Sequence, residues 1–155
     1  RDALSIFDQI VTFAGNNITY QHVIENLNVL DYDYYFHVVD YAMKEDIPST
    51  LMLYNDIMEK GFDGHNFVVG LSTHFRNLLV CKDVRTASLL EVGEMTEQRY
   101  IQQAKEADSQ FILRALGVLS KTDVDYKSAK NQRLLVEMAL MQLCSLKSEL
   151  EKKNP

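Results

Sequence analysis

The sequence predicts an all-α fold, a helical bundle of about seven to eight helices with a helical hairpin at its N-terminus. Three observations lead there. Apolar residues recur at helical spacing through most of the chain. Only 2 prolines and 6 glycines occur in 155 residues, too few breakers for a turn-rich β fold. No run of useful length alternates apolar with polar residues, as a half-buried strand would.

The first helix is expected to carry Leu4, Ile6, Phe7, Ile10, Val11, Phe13 and Ala14, and Gly15-Asn16-Asn17 stops it. Thr19 suits an N-cap for a second, short helix with Val23, Ile24 and Leu27 on one side. The pair forms a hairpin that ends near Leu30. A third helix from Asp31 buries Tyr35, Val38, Val39, Ala42 and Met43 and stops before Ile47-Pro48, since a residue preceding proline resists the helical region. Pro48 fits the first turn of the fourth helix, which has Leu51, Tyr54, Ile57 and Met58 as its stripe and Gly61 as its stop.

A fifth helix over residues 64–81 presents Phe67, Val68, Leu71, Phe75, Leu78 and Leu79, the clearest stripe in the chain, and Asp63 precedes it as a cap. Residues 84–91 predict a short helix, which Gly93 breaks. Thr96 is expected to cap the next helix, through Ala107. Asp108 or Ser109 caps another, bearing Phe111, Ile112, Ala115, Leu116 and Leu119. The polar run at residues 120–130 reads as a loop. A final helix over residues 129–151 is apolar nearly all round between Leu134 and Leu146. Such a helix must be covered on several sides, either as the centre of a self-contained bundle or partly by a neighbouring subunit.

Composition excludes several functions. Net charge is −6, and no basic stripe is present to neutralise phosphates. Lys121, Lys130 and Arg133 are interleaved with Asp123 and Asp125, so any link to DNA is expected to be indirect. Cys81 and Cys144 lie far apart in apolar surroundings and read as small buried hydrophobes in a reducing compartment. No stretch of about 18 apolar residues could span a bilayer, and the N-terminus lacks a signal-peptide pattern, which predicts cytoplasmic residence and no membrane partner. The chain begins at Arg1 inside an amphipathic pattern and reads as a piece of a longer protein.

Catalytic and metal chemistry find little support. His65 and His74 fall on nearly opposite faces of one helix, His22 and His37 on other helices, and no His or Cys pair has zinc spacing. The histidines read as surface or partly satisfied groups. Asp31-Tyr32-Asp33 opens like a calcium loop, but Phe36 and Ala42 stand where glycine and glutamate are required. No phosphate-binding GxxxxGK loop and no nucleophile elbow occur. The cluster Tyr32, Tyr34, Tyr35, Phe36 and Tyr41 reads as core plus interface rim, with Tyr32, Tyr34 and Tyr41 as a surface for docking a partner. By itself the chain is expected to have no enzymatic activity, no metal and no cofactor.

Arg1-Asp2-Ala3-Leu4-Ser5-Ile6-Phe7-Asp8-Gln9 resembles the RDALSLLDQ segment in the lid domain of bacterial DNA polymerase III gamma/tau clamp-loader subunits, members of the AAA+ class. The likeness continues through Thr19-Tyr20-Gln21-His22-Val23 and Asn28-Val29-Leu30-Asp31, although Asn28 stands where that family has glycine. Gly61-Phe62-Asp63, the stretch from Leu71 through Arg76 to Leu78-Leu79, and Arg133 with Glu137, Leu140 and Met141 are similar to later family elements, in order.

The resemblance implies that residues 1–30 end the AAA+ lid and that residues 31–155 form the third, collar domain, which holds the subunits of the loader together. Arg1 matches the sensor 2 arginine, which contacts ATP only in the intact parent, where Mg would also bind. The parent is then a DNA-directed DNA polymerase subunit with clamp-loader ATPase activity. The implied partners are other gamma/tau copies and subunits of the delta and delta-prime type, with self-association included. Arg133, Leu134, Glu137, Met138 and Met141 are the expected subunit interface. The competing reading is a helical adaptor that docks a peptide of another replication protein.

Overall fold

The computed structural model describes residues 32–153, and every regular element among them is a helix. In chain order these are α1 (Tyr32–Met43), α2 (Ile47–Glu59), α3 (Gly64–Val80), α4 (Val84–Ala87), α5 (Glu94–Glu106), α6 (Ser109–Tyr126), α7 (Gln132–Leu143) and α8 (Leu146–Lys153). These 8 helices, with no strand among the described residues, agree with the expected class. The hairpin expected over residues 1–30, with Arg1, lies outside the described residues.

The strongest stripe in the sequence becomes the middle of the bundle. Phe67, Val68, Leu71, Phe75 and Leu78 of α3 are all fully buried. Their most extensive packing is against α6, whose Phe111, Ile112, Ala115 and Leu119 supply the facing side. The rings of Phe75 and Phe111 meet edge to face with centroids 5.9 Å apart. On other sides α3 also touches α5 and α7, while α7 packs against α2 and α6.

Short acidic and amide side chains start these helices by satisfying amide groups that have no carbonyl one turn earlier. Asp46 accepts from Ser49 N at 3.1 Å, Asp63 from Asn66 N at 3.0 Å, Asp108 from Gln110 N at 3.1 Å and Asn131 from Leu134 N at 3.0 Å. Pro48 sits in the first turn of α2, as expected. Gly61 follows that helix with φ of +88°, a backbone that a Cβ would strain, and its N–H bonds the Met58 carbonyl.

Four boundaries differ from the sequence reading. The helix expected over residues 84–91 is only Val84–Ala87, and none of its residues is buried, so no apolar face prolongs it. Gly93, rather than Thr96, is the N-cap of α5. Starting there puts Glu94 and Glu97 in the first turn, where carboxylates oppose the positive end of the helix dipole.

The supposed loop at residues 120–130 is helical as far as Tyr126. Its polarity marks a solvated face, with Lys121 paired to Asp125 at 3.2 Å, while Thr122 turns inward and bonds the Val118 carbonyl at 2.8 Å. This extension also reaches α3, where His65 contacts Asp123 and stacks on Tyr126 with centroids 5.0 Å apart.

The long final helix is two helices, α7 and α8, broken at Cys144 and Ser145. Ser145 bonds back to the Met141 carbonyl at 3.0 Å, which competes with a continuing helix. Leu143, Cys144 and Leu146, which flank the break, are all buried.

Candidate subunit interface

Val136, Ala139, Leu140 and Leu143 recur at spacings of 3 and 4 residues and define the buried side of α7. The apolar character of the helix does not end there. Leu134 is 46% exposed and Met138 47% exposed, with Met141 half-buried beside them. Positions 134, 138 and 141 follow one another at helical spacing, so these three side chains form one stripe.

A polar edge runs along that stripe. Arg133 bonds Glu137 one turn on at 3.3 Å and reaches Asn55 of α2 at 2.6 Å. The Arg133–Glu137 pair is largely exposed and contributes roughly 0.2–0.5 kcal/mol to the helix. Its bond to Asn55 matters more for orientation, because it holds the guanidinium over the α2–α7 seam. Sequence reasoning did not single out Asn55, which is half-buried at the flank of the α2 stripe.

The aromatic residues of α1 divide. Tyr35 and Phe36 enter the core. Tyr34, His37 and Tyr41 fall on one stripe, with His37 stacked on Tyr41 at 6.2 Å between centroids, whereas helical geometry sets Tyr32 about half a turn away from Tyr41. Below α1 lies a polar knot that sequence reasoning missed. Gln103 of α5 donates to the Phe36 carbonyl and to Asp40 Oδ1, each at 2.9 Å, and its Oε1 meets His74 Nε2 at 2.7 Å.

With the Gln103 amide nitrogen committed to two acceptors, Oε1 must accept, so His74 donates from Nε2. Its Nδ1 is buried without a partner among the described residues. Burial holds the imidazole pKa down at about 4, opposed by the Gln103 bond and reinforced by nearby Arg99. A signal for Gln103 did exist, since it shares one helical face with Tyr100, Ala104 and Ala107, all buried. His74 is the partly satisfied histidine that the spacing allowed.

Beside α1 a cleft of about 620 Å³ opens, with Met43, Phe111 and Leu150 as its apolar lining and Asp40, Lys44 and Lys147 among its charged groups. Both cysteines are free thiols; Cys144 is buried against Thr50 Oγ1 at 3.4 Å, and burial pushes both thiols up from their ordinary pKa. Tyr54 is pushed up to about 12, chiefly by burial and then by neighbouring Tyr126. Among the described residues no group of three or more His, Cys, Asp or Glu side chains could hold a metal ion. No helix there is long and apolar enough to cross a membrane. Arg1, the only residue expected to touch a nucleotide, lies outside the described residues.

The chain is similar over most of its length to parts of longer proteins. The chain is 18% identical over 144 residues to DNA polymerase III subunit tau of Bacillus subtilis (strain 168), covering 93% of this chain and 26% of that protein. It is 24% identical over 152 residues to DNA polymerase III subunit gamma of Buchnera aphidicola subsp. Acyrthosiphon pisum (strain APS), covering 94% of this chain and 40% of that one. It is also 25% identical over 149 residues to Protein STICHEL-like 2 of Arabidopsis thaliana, covering 96% of this chain but 17% of the plant protein. The chain therefore spans well under two thirds of each relative. Residues 18–155 match the family of DNA polymerase III subunits gamma and tau domain III, and the chain belongs to that family.

Proposed function

We propose that this domain is the collar of a clamp-loader subunit, the part that holds copies of the parent and its sister subunits together during ATP-driven loading of the sliding clamp. One observation carries the reading. On α7 Leu134 and Met138 stay exposed, with Met141 half-buried in line with them, while the other side of the same helix is core. Exposed apolar side chains aligned on one helix are a docking face in search of a partner. Arg133 and Glu137 supply a polar rim for it.

In this reading residues 31–155 are the collar and residues 1–30 the end of an AAA+ lid, with Arg1 as the sensor 2 contact to ATP and its Mg in the intact parent. The domain itself catalyses nothing and meets DNA only through the assembly. Its partners are gamma/tau copies and subunits of the delta and delta-prime type, in the cytoplasm.

The test is co-purification of the full-length parent with a delta-prime subunit of the same organism. The wild type should retain the subunit, and a Leu134→Ser/Met138→Ser variant should lose it while keeping its helical circular dichroism. A wild-type parent that retains no loader subunit would end the proposal.

The cleft beside α1 favours a second reading, a groove that receives a peptide from another replication protein. Hydrogen exchange separates the two readings. Collar assembly slows exchange in α7, and peptide docking slows it in α1 and α8.

A further inference from the structure

We propose that an acidic knob at residues 89–97 of one copy seats in the groove between α6 and α8 of the next, a head-to-tail contact between two copies of this chain. The inference rests on the reading that copies of the domain associate, and it names both halves of that contact.

The receiving half is a groove of about 540 Å³ lined by Arg114, Gly117 and Lys121 of α6, Gln142 of α7, and Leu146 and Glu149 of α8. Gly117 leaves its floor open, since a Cβ placed there would meet nothing within 4 Å. Gln142 lies one helical turn beyond Met138, so the groove continues from the exposed stripe of α7. Arg114 is exposed and forms no ion pair among the described residues. Lys121 reaches only its own-helix neighbour Asp125, and its side chain is 81% exposed. Glu149 is the one carboxylate in the lining, against two cations.

The inserted half has the opposite character. Between Leu89 and Glu97 the chain carries Glu91, Glu94 and Glu97 and no lysine or arginine. None of these carboxylates forms an ion pair among the described residues. Met95 is 85% exposed and Leu89 54% exposed, so the knob offers apolar tips between its charges.

An acidic apolar projection and a basic recess with a glycine floor are unlike patches on a single chain. Unlike patches join successive copies in one direction, the pattern that builds rings. Opposed charges would set the register and speed the encounter, while the side chains of Met95 and Leu89 fill the space over Gly117.

Charge reversal in the full-length protein tests this, with association read by sedimentation velocity. Arg114→Glu/Lys121→Glu should weaken association by about tenfold, and so should Glu94→Lys/Glu97→Lys. Mixing the two variants should restore it. Gly117→Leu fills the groove with no clash at Cβ, so it should melt no lower than the wild type, and somewhat higher through helix propensity, yet lose association. Reversal without effect, or reversal that mixing does not rescue, overturns the inference. If Leu134→Ser/Met138→Ser abolishes association and the charge reversals leave it intact, the collar reading stands and this contact falls. Wild-type copies that never associate would sink this contact, while the collar reading stands or falls on retention of the delta-prime subunit.

Discussion

His74 of α3 donates to Gln103 of α5 across 2.7 Å, joining two helices 29 residues apart in a site with almost no solvent. The imidazole is ringed by Phe36, Tyr35, Tyr100 and Phe75, with Phe36 edge-on at 4.5 Å between centroids. A cation cannot be hydrated there, and the neighbouring Arg99 repels one. Neutral His74 is therefore a condition of the fold.

Acid should unfold this protein through that residue. Its folded pKa of about 4 lies below the ordinary 6.5, so below pH 6.5 the unfolded chain takes up a proton that the folded one refuses. The contribution of His74 is fully present above pH 6.5, declines as pH falls toward about 4, and changes no further below that. The loss amounts to roughly 3 kcal/mol. Urea midpoints between pH 7 and pH 4 measure it. His74→Phe should flatten that pH dependence, at a cost at pH 7 of about 1–3 kcal/mol for the stranded Gln103 oxygen.

Gln103→Leu is expected to be among the more damaging polar substitutions. It strands the His74 N–H and removes a partner from Asp40 and from the Phe36 carbonyl, which keeps its own helix bond; a buried group left without its partner costs about 1–3 kcal/mol. Because two of the three groups belong to α1, amide exchange should accelerate in α1 more than in α6. Equal acceleration in both would mean that the knot does not anchor α1 specifically.

Two glycines at the middle of helices should respond with opposite signs. A Cβ at Gly70 would stand 2.0 Å from the Tyr35 hydroxyl and 2.5 Å from its ring carbon Cζ, so Gly70→Ala must displace a buried ring and should cost about 1–3 kcal/mol. Gly117→Ala meets nothing within 4 Å and should add about 0.5–1 kcal/mol through helix propensity. Thermal denaturation of the two variants gives the comparison directly.

Along α7 the two sides should separate stability from association. Leu140→Ala, in the core, should lose about 2–5 kcal/mol of folding stability. Leu134→Ser and Met138→Ser should stay within about 0.5 kcal/mol of wild type in the isolated chain, since water already reaches both side chains. A large loss of stability at Leu134 or Met138 in a monomer would mean that the stripe is core after all.

Much of the fold was already written locally. The α3 stripe, Pro48 in the first turn of α2, the stop at Gly61 and the caps at Asp63 and Asp108 all stand where sequence reasoning expected them. Each depends on hydrogen bonds and sterics within about one turn of chain, so neighbouring residues suffice to specify it. The family resemblance likewise rested on ordered local segments, and the family match covers residues 18–155.

Tertiary packing decided the remainder. Residues 120–126 continue α6 because Thr122 faces inward and Asp123 meets His65 on a helix 58 residues away. The apolar final helix is interrupted at Cys144 and Ser145, with Leu143, Cys144 and Leu146 all buried, and the sequence could not say which of its sides would stay open. Gln103 became the knot under α1 only when α1, α3 and α5 converged upon it. Helical period states which residues share a face, but what covers that face is settled by groups far away in the chain, and that is where the exposed stripe on α7 comes from.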